Sequence, residues 1–212
     1  MQFLENTILD YFGNNEMSLG TVVKVSGERL HVQGASPQIS KITTKQVLAN
    51  YGQAGKNPLT DLAGIQLQIQ EMADEIDMEL LWEELLPQAN QAIPLPDISK
   101  MYFSDATPLQ LSAMARKLIE DKLHFQRQGQ EFIPRSVEGV KELEALLRQR
   151  AERAALKERQ KAWLQDVLNG NETIPVPVPE EMEQTVQRCV DYLLNGFNSD
   201  TINLLSAVNA KQ

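Results

Sequence analysis

A strongly capped helix that runs directly into a tight hairpin, over residues 107–135, restricts the fold of this chain more than any other feature. Thr107 suits an N-cap and Pro108 suits the first helical position, so the stretch "TPLQLSAMARKLIEDK" is predicted to be helical. One face of that helix is apolar, with Leu111, Met114, Ala115, Leu118 and Ile119 at helical spacing. The helix should therefore pack against a core and carry the hairpin at its end.

The hairpin is predicted from "KLHFQRQGQEFIPR", residues 122–135. Gln128 and Gly129 form the expected two-residue loop, because a glycine in such a loop accepts positive φ. This loop places Phe125 opposite Phe132 as a cross-strand aromatic pair.

Three further elements precede this helix and hairpin. Asp77 is expected to cap a helix that stops at Pro87, and "AIPLP" (92–96) is expected to be extended because of its prolines. Residues 97–103 form a predicted short helix with Asp97 as its cap. The order helix, short strand, helix, turn, helix and two-stranded wing is that of a winged helix.

The first quarter of the chain is predicted to be a small β module. Residues 2–12 show helical spacing of apolar side chains, so a short amphipathic helix is expected there. The pattern then changes to a period of two, with a turn at Ser26-Gly27 that sets Val23 opposite Leu30. A third strand at "QISKI" suggests a small meander or an SH3-like barrel.

The fold class predicted from these patterns is α+β and mostly helical. Ser136 should cap a long charged helix of more than 30 residues, and "IPVPVPEE" is a stiff polyproline segment. The predicted divisions are 1–55 for the short helix and β module, 56–135 for a helical linker and winged helix with core 77–135, 136–170 for the long helix, 171–179 for the Pro-rich linker, and 180–212 for a small helical segment.

Charge is distributed unevenly along the 212 residues, whose net charge is −9. Residues 1–99 carry 5 basic and 13 acidic side chains, residues 100–163 carry 13 and 9, and residues 164–212 carry 2 and 7. The basic part contains both the hairpin and the long helix, and contact with polyanions depends on local charge. A solvated helix with mixed charges is the simpler interpretation of the same pattern.

The sequence also suggests a cellular location. Its apolar runs are far shorter than the roughly 20 residues that span a bilayer, and its start does not resemble a secretory signal. The single cysteine, Cys189, fits a reducing compartment and a helical apolar face. We expect a cytoplasmic protein that does not contact membranes.

No motif of catalysis occurs in the sequence: GxxxxGK[ST], GxGxxG, GxSxG, HExxH and CxxC are all absent. A phosphodiesterase needs clustered carboxylates around Mg²⁺, and the nearest approach, Asp74, Glu75 and Asp77, reads as a helix end. No catalytic residue, metal site or cofactor is therefore expected in this chain. The candidate nucleic-acid contacts are the basic residues of the winged helix, Arg116, Lys117, Lys122, Arg127 and Arg135.

The stretches "LLWEELL" and "TPLQLSAMARKLIEDKLHFQRQGQEFIPRSVEGVKELEALLRQRAERAALKERQKAWLQDVL" support a resemblance. Over residues 17–169 the chain resembles the N-terminal region of bacterial ribonuclease II-like (RNB-family) exoribonucleases, of the type in which a helix-turn-helix replaces a cold-shock domain. In that family a β module opening with a "GTVV"-like strand precedes the winged helix, and a long charged helix follows it.

The resemblance implies a function but no catalytic residue, because the RNB domain with its Mg²⁺-binding aspartates is absent. It implies a region that guides single-stranded RNA, weakly and with strong salt dependence, toward a catalytic domain of a Mg²⁺-dependent 3′→5′ exoribonuclease. The long helix would then be a strut, and the chain would be either a fragment with its own catalytic domain as partner or a stand-alone relative.

Two other functions fit the sequence. A winged-helix transcription regulator would bind duplex DNA as a symmetric dimer. A protein–protein scaffold would present the apolar surface of residues 77–86 to a partner, since winged helices also serve as docking modules.

Overall fold

The computed structural model describes residues 3–13, 16–168, 178 and 180–195. The chain divides into two compact units, residues 1–141 and 142–212. A five-stranded sheet, a three-stranded sheet and six α-helices are present among the described residues, which confirms the α+β class.

The N-terminal module is an antiparallel five-stranded sheet. Its strands are β1 (Thr7–Phe12), β2 (Met17–Ser26), β3 (Arg29–Gln33), β4 (Ile39–Thr43) and β5 (Val47–Gln53). The strands lie in the order β4-β3-β2-β1-β5, and one 3₁₀ turn, Thr44–Gln46, joins β4 to β5. The first four strands thus form a meander, and β5 returns to pair with β1.

The helix predicted over residues 2–12 was wrong, since β1 lies there instead. All six residues of β1 are buried, because Leu9 and Tyr11 point into the β module while Asp10 and Phe12 face the helices. A strand buried on both faces shows no alternation of polar and apolar residues. Its apolar spacing therefore resembled that of a helix.

Both predicted hairpins form, but each turn lies one residue later than expected. Ser26 pairs with Arg29 and Gln128 pairs with Glu131, so each loop begins with its glycine, at Gly27 and at Gly129. Those glycines have φ of 63° and 66°, and the residues after them have no positive φ. A turn with positive φ only at its first central position favours glycine there, as in type II′.

The shift changes the cross-strand partners. Phe125 pairs with Pro134 rather than with Phe132, and in the first hairpin Val25 takes the predicted place of Val23 opposite Leu30. A bulge at Val23 leaves that side chain 37% exposed. Because each register moved by two residues, Phe125 and Phe132 remain on the same buried face of the wing.

The winged helix follows the β module. Its helices are α1 (Pro58–Asp74), α2 (Met78–Leu85), α3 (Leu95–Phe103) and α4 (Pro108–Glu120), and its strands are β6 (Ile93–Pro94), β7 (Phe125–Gln128) and β8 (Glu131–Pro134). The small strand β6 adds to the hairpin, giving the order β6-β8-β7. The hairpin β7–β8 is the wing.

Side-chain caps explain where two of these helices begin. Asp77 and Thr107 are N-caps, as predicted: the Asp77 side chain accepts hydrogen bonds from the Glu79 and Leu80 amides. Thr107 also forms a capping box with Gln110, which was not predicted. Asp97 is not the cap of α3, which begins two residues earlier, at Leu95. Proline after the first helical residue allows this earlier start, and Asp97 instead lies in the first turn.

Two apolar clusters stabilise the first unit. The first lies inside the β module and includes Leu9, Val22, Leu30 and Val32. The second joins the helices, the wing and one face of the sheet, so that Phe12 packs in the same cluster as the buried side chains of α4 and the wing. The β module and the winged helix therefore share a core.

The second unit contains most of α5 (Val137–Leu168) and all of α6 (Glu180–Asn195). Ser136 caps α5, because its Oγ accepts a hydrogen bond from the Gly139 amide at 3.2 Å. Most of the predicted Pro-rich linker, the segment after residue 195 and the Cys189 side chain lie outside the described residues. Within the described part of the chain, no helix has both the length and the apolar character needed to cross a bilayer.

Candidate nucleic-acid interface

A groove of about 620 Å³ lies between the C-terminal end of α4 and the wing. We call it the wing groove. It is lined by Leu118, Ile119, Glu120, Asp121, Lys122, Phe125, Gln126, Arg127 and Arg135. Three of the five predicted contacts, Lys122, Arg127 and Arg135, thus come together at one surface.

Arg127 is held in place on the wing by its neighbours. Its guanidinium carbon lies 4.4 Å from the centre of the Phe12 ring, and its Nε donates to the Gly129 carbonyl at 2.8 Å. Partial burial lowers the pKa of Arg127, but an arginine remains a cation. Gln130 at the wing tip donates to the Lys45 carbonyl at 2.5 Å, so the wing is anchored to the β module.

Arg135 lies between the end of β8 and the start of α5. Its carbonyl accepts a hydrogen bond from Trp82 Nε1 at 2.7 Å, and its Nη1 donates to Gln126 Oε1 at 3.3 Å. Its Nε is buried and has no hydrogen-bond acceptor among the described residues. A buried donor without an acceptor is uncommon in proteins.

Two acidic residues, Glu120 and Asp121, reduce the positive charge of the wing groove. Asp121 is occupied at the end of α4: its carboxylate accepts hydrogen bonds from the Leu123 and His124 amides and lies 2.8 Å from His124 Nδ1. The three cations and two carboxylates leave the groove with a net charge of +1. Such a surface can hold a phosphate backbone only weakly.

Arg116 does not line the wing groove. It forms a two-point ion pair with Asp10 of β1, with Nη2–Oδ1 at 3.1 Å and Nη1–Oδ2 at 2.5 Å, and Asp10 is fully buried. Burial raises the pKa of Asp10, while the hydrogen bond and charge of Arg116 oppose that rise. Arg116 thus links the β module to α4, and its role as an RNA contact stays an untested prediction.

Further polar groups lie beside this ion pair. Tyr51 of β5 donates from its hydroxyl to Ser112 Oγ at 2.8 Å, and burial raises the pKa of Tyr51 to about 12. Sequence reasoning missed this network, although a single carboxylate in the apolar run "TILDYF" indicates a buried charge that needs a partner. Lys117, the remaining predicted contact, lies in the last turn of α4, outside the groove lining.

No group of three or more His, Cys, Asp or Glu side chains that could hold a metal ion occurs among the described residues. Asp77, part of the nearest acidic cluster in the sequence, is committed to capping α2.

Residues 65–139 match the family model described as the ribonuclease II winged helix domain. The match begins within α1 and ends just after the start of α5, so it contains the wing groove. The chain resembles the N-terminal region of a ribonuclease II-like protein.

A curated relative supports the same resemblance. An uncharacterized ribonuclease of Synechocystis sp. is 27% identical to this chain over 99 residues, which cover 47% of this chain and 15% of the relative. The matched part thus spans a small fraction of the relative's length. No solved structure matches significantly.

Proposed function

We propose that the chain is a non-catalytic RNA-positioning region of a 3′→5′ exoribonuclease of the ribonuclease II family. In this role the wing groove binds the phosphate backbone of single-stranded RNA and directs it toward a catalytic domain that supplies Mg²⁺ chemistry. The observation that carries the proposal is the convergence of Lys122, Arg127 and Arg135 on one groove, within the segment that matches the ribonuclease II winged helix.

The chemistry of the groove suits a backbone rather than a base sequence. Arginine and lysine donate charge-assisted hydrogen bonds to phosphate oxygens, and such contacts carry no sequence information. The net charge of +1 fits weak, transient binding, which suits RNA that must pass along the groove toward a catalytic domain.

The test is fluorescence anisotropy of a labelled oligouridine over a range of salt concentrations. Substituting Lys122→Gln and Arg127→Gln together should weaken binding and make the log–log salt slope shallower by about 1.4, since each phosphate contact to a single strand contributes roughly 0.7. Circular dichroism should show an unchanged fold, because Lys122 is exposed and Arg127 is only partly buried.

The matched control removes two exposed cations of the β module, Lys24→Gln and Lys41→Gln. Its net charge changes equally, yet its affinity and salt slope should stay at the wild-type values. An equal loss of RNA affinity in both double variants would show that only total charge matters and would refute the proposed role of the wing groove. Preference for one duplex DNA sequence would favour the transcription regulator instead.

Two finer predictions accompany this proposal. The order of the five strands and the 3₁₀ turn before β5 support the SH3-like description of the β module. A cytoplasmic location fits an RNA-processing role.

A further inference from the structure

The long helix α5 carries its basic residues on two different faces. Arg150, Arg153, Lys157 and Lys161 follow one another at intervals of three, four and four residues. At 3.6 residues per turn these positions fall within an arc of roughly 80° and extend over about 16 Å. We call them the α5 stripe.

Three members of the α5 stripe, Arg150, Arg153 and Lys157, have no acidic residue three or four positions away, whereas Lys161 has Glu158 three positions before it. Arg150, Arg153 and Lys157 are exposed, Lys161 is half-buried, and none of the four makes an ion pair in the part of the chain that the structure describes. Neighbours of like charge at these spacings destabilise a helix. A helix that served only as a solvated spacer would gain stability from alternating charges on this face.

The opposite face of α5 shows that alternation. Its cations are Lys141, Arg148 and Arg159. Glu144 and Glu152 stand four residues before and after Arg148, at the spacing where opposite charges stabilise a helix. One face of α5 therefore pairs its positive charges with negative ones, whereas the face with the α5 stripe carries an excess of positive charge.

We infer that the α5 stripe is a second binding surface for the phosphate backbone of single-stranded RNA. The identity of the ligand rests on the proposed function, while the surface itself lies in the second unit. Between Arg150 and Lys161 this face carries no large apolar side chain, whereas protein interfaces depend on apolar or aromatic anchors at their centre. Closely spaced cations alone are sufficient for a phosphate backbone.

The test compares two triple variants of the full chain with the same oligouridine. Arg150→Gln, Arg153→Gln and Lys157→Gln remove three of the four cations of the α5 stripe, and Lys141→Gln, Arg148→Gln and Arg159→Gln remove the same charge from the opposite face. The stripe variant should show weaker binding and a salt slope shallower by about 2. The opposite-face variant should bind like the wild type, and both should keep their helical circular dichroism.

The wing-groove variant separates this inference from the proposed function. Loss of affinity in the wing-groove variant with wild-type binding by the stripe variant would overturn the inference and leave the proposed function intact. Loss of affinity in the stripe variant with wild-type binding by the wing-groove variant would support RNA binding by the α5 stripe and refute RNA binding by the wing groove. An equal loss of RNA affinity in both triple variants would show that only net charge matters. It would also refute RNA binding by the α5 stripe.

Discussion

Gly20 shows how closely two strands of the β module approach each other. A Cβ at this position would lie 2.6 Å from Val32 Cγ1 and 2.8 Å from the Gln33 carbonyl oxygen. Those distances are shorter than van der Waals contact, and one of the two atoms belongs to the backbone. By contrast, a Cβ at Gly64 in α1 would meet nothing within 4 Å.

Alanine at these two glycines should therefore have opposite effects on stability. We expect Gly20→Ala to lower the free energy of unfolding by about 1–3 kcal/mol, as overpacking does. Gly64→Ala should raise it by about 0.5–1 kcal/mol, because alanine favours helix. Urea unfolding of a Trp163→Phe background, in which Trp82 reports on the first unit, measures both; a tolerated Gly20→Ala would contradict this packing.

At the scale of secondary structure, side-chain caps decide where helices begin. Asp77 accepts two amide hydrogen bonds and fixes the start of α2, whereas Asp97 makes no cap for α3. The two aspartates look alike in the sequence, since each stands just before or within a short apolar helical pattern.

Removing each carboxylate distinguishes the two roles. Asp77→Ala should cost about 1 kcal/mol, because two amides at the start of α2 lose their acceptor. Asp97→Ala should cost less than half of that, since it loses only the interaction of a first-turn carboxylate with the helix dipole. Urea unfolding followed by Trp82 measures both losses. Equal losses in the free energy of unfolding would mean that Asp97 also acts as a cap.

The elements that the sequence predicts well are those defined by local chemistry. Thr107 with Pro108 marks the start of α4 because a cap involves neighbouring residues only. β1 was not predicted because its burial depends on β2, β5 and α4 together. Both glycine turns were predicted one residue too early because the sequence does not specify the turn type. Three of the predicted basic residues share the wing groove, but the bond of Arg116 to Asp10 spans 106 positions and no local pattern predicts it.

Across the first unit, the ion pair between Asp10 and Arg116 connects the first strand to the fourth helix. Asp10 has no exposed surface, so its carboxylate depends on Arg116 and its polar neighbours for compensation. Breaking a buried pair from one side is costly, because the remaining charge has neither water nor a partner.

A double-mutant cycle measures this link. Arg116→Met should lower the free energy of unfolding by about 3–5 kcal/mol. Adding Asp10→Asn to that variant should restore at least about 1 kcal/mol, because the unpaired charge is gone and neighbouring residues couple. Additive losses in the Trp82 unfolding curves would show that the two side chains do not depend on each other.

Phe12 and Tyr51 lie outside residues 65–139, yet they contact the wing and α4, respectively. The segment that matches the ribonuclease II winged helix model is thus smaller than the unit that shares one core. A truncation to residues 65–139 would remove Phe12 from the apolar cluster around α4 and would leave the Arg127 guanidinium without its aromatic contact. Grafting residues 65–139 onto another protein would therefore require the preceding strands as well.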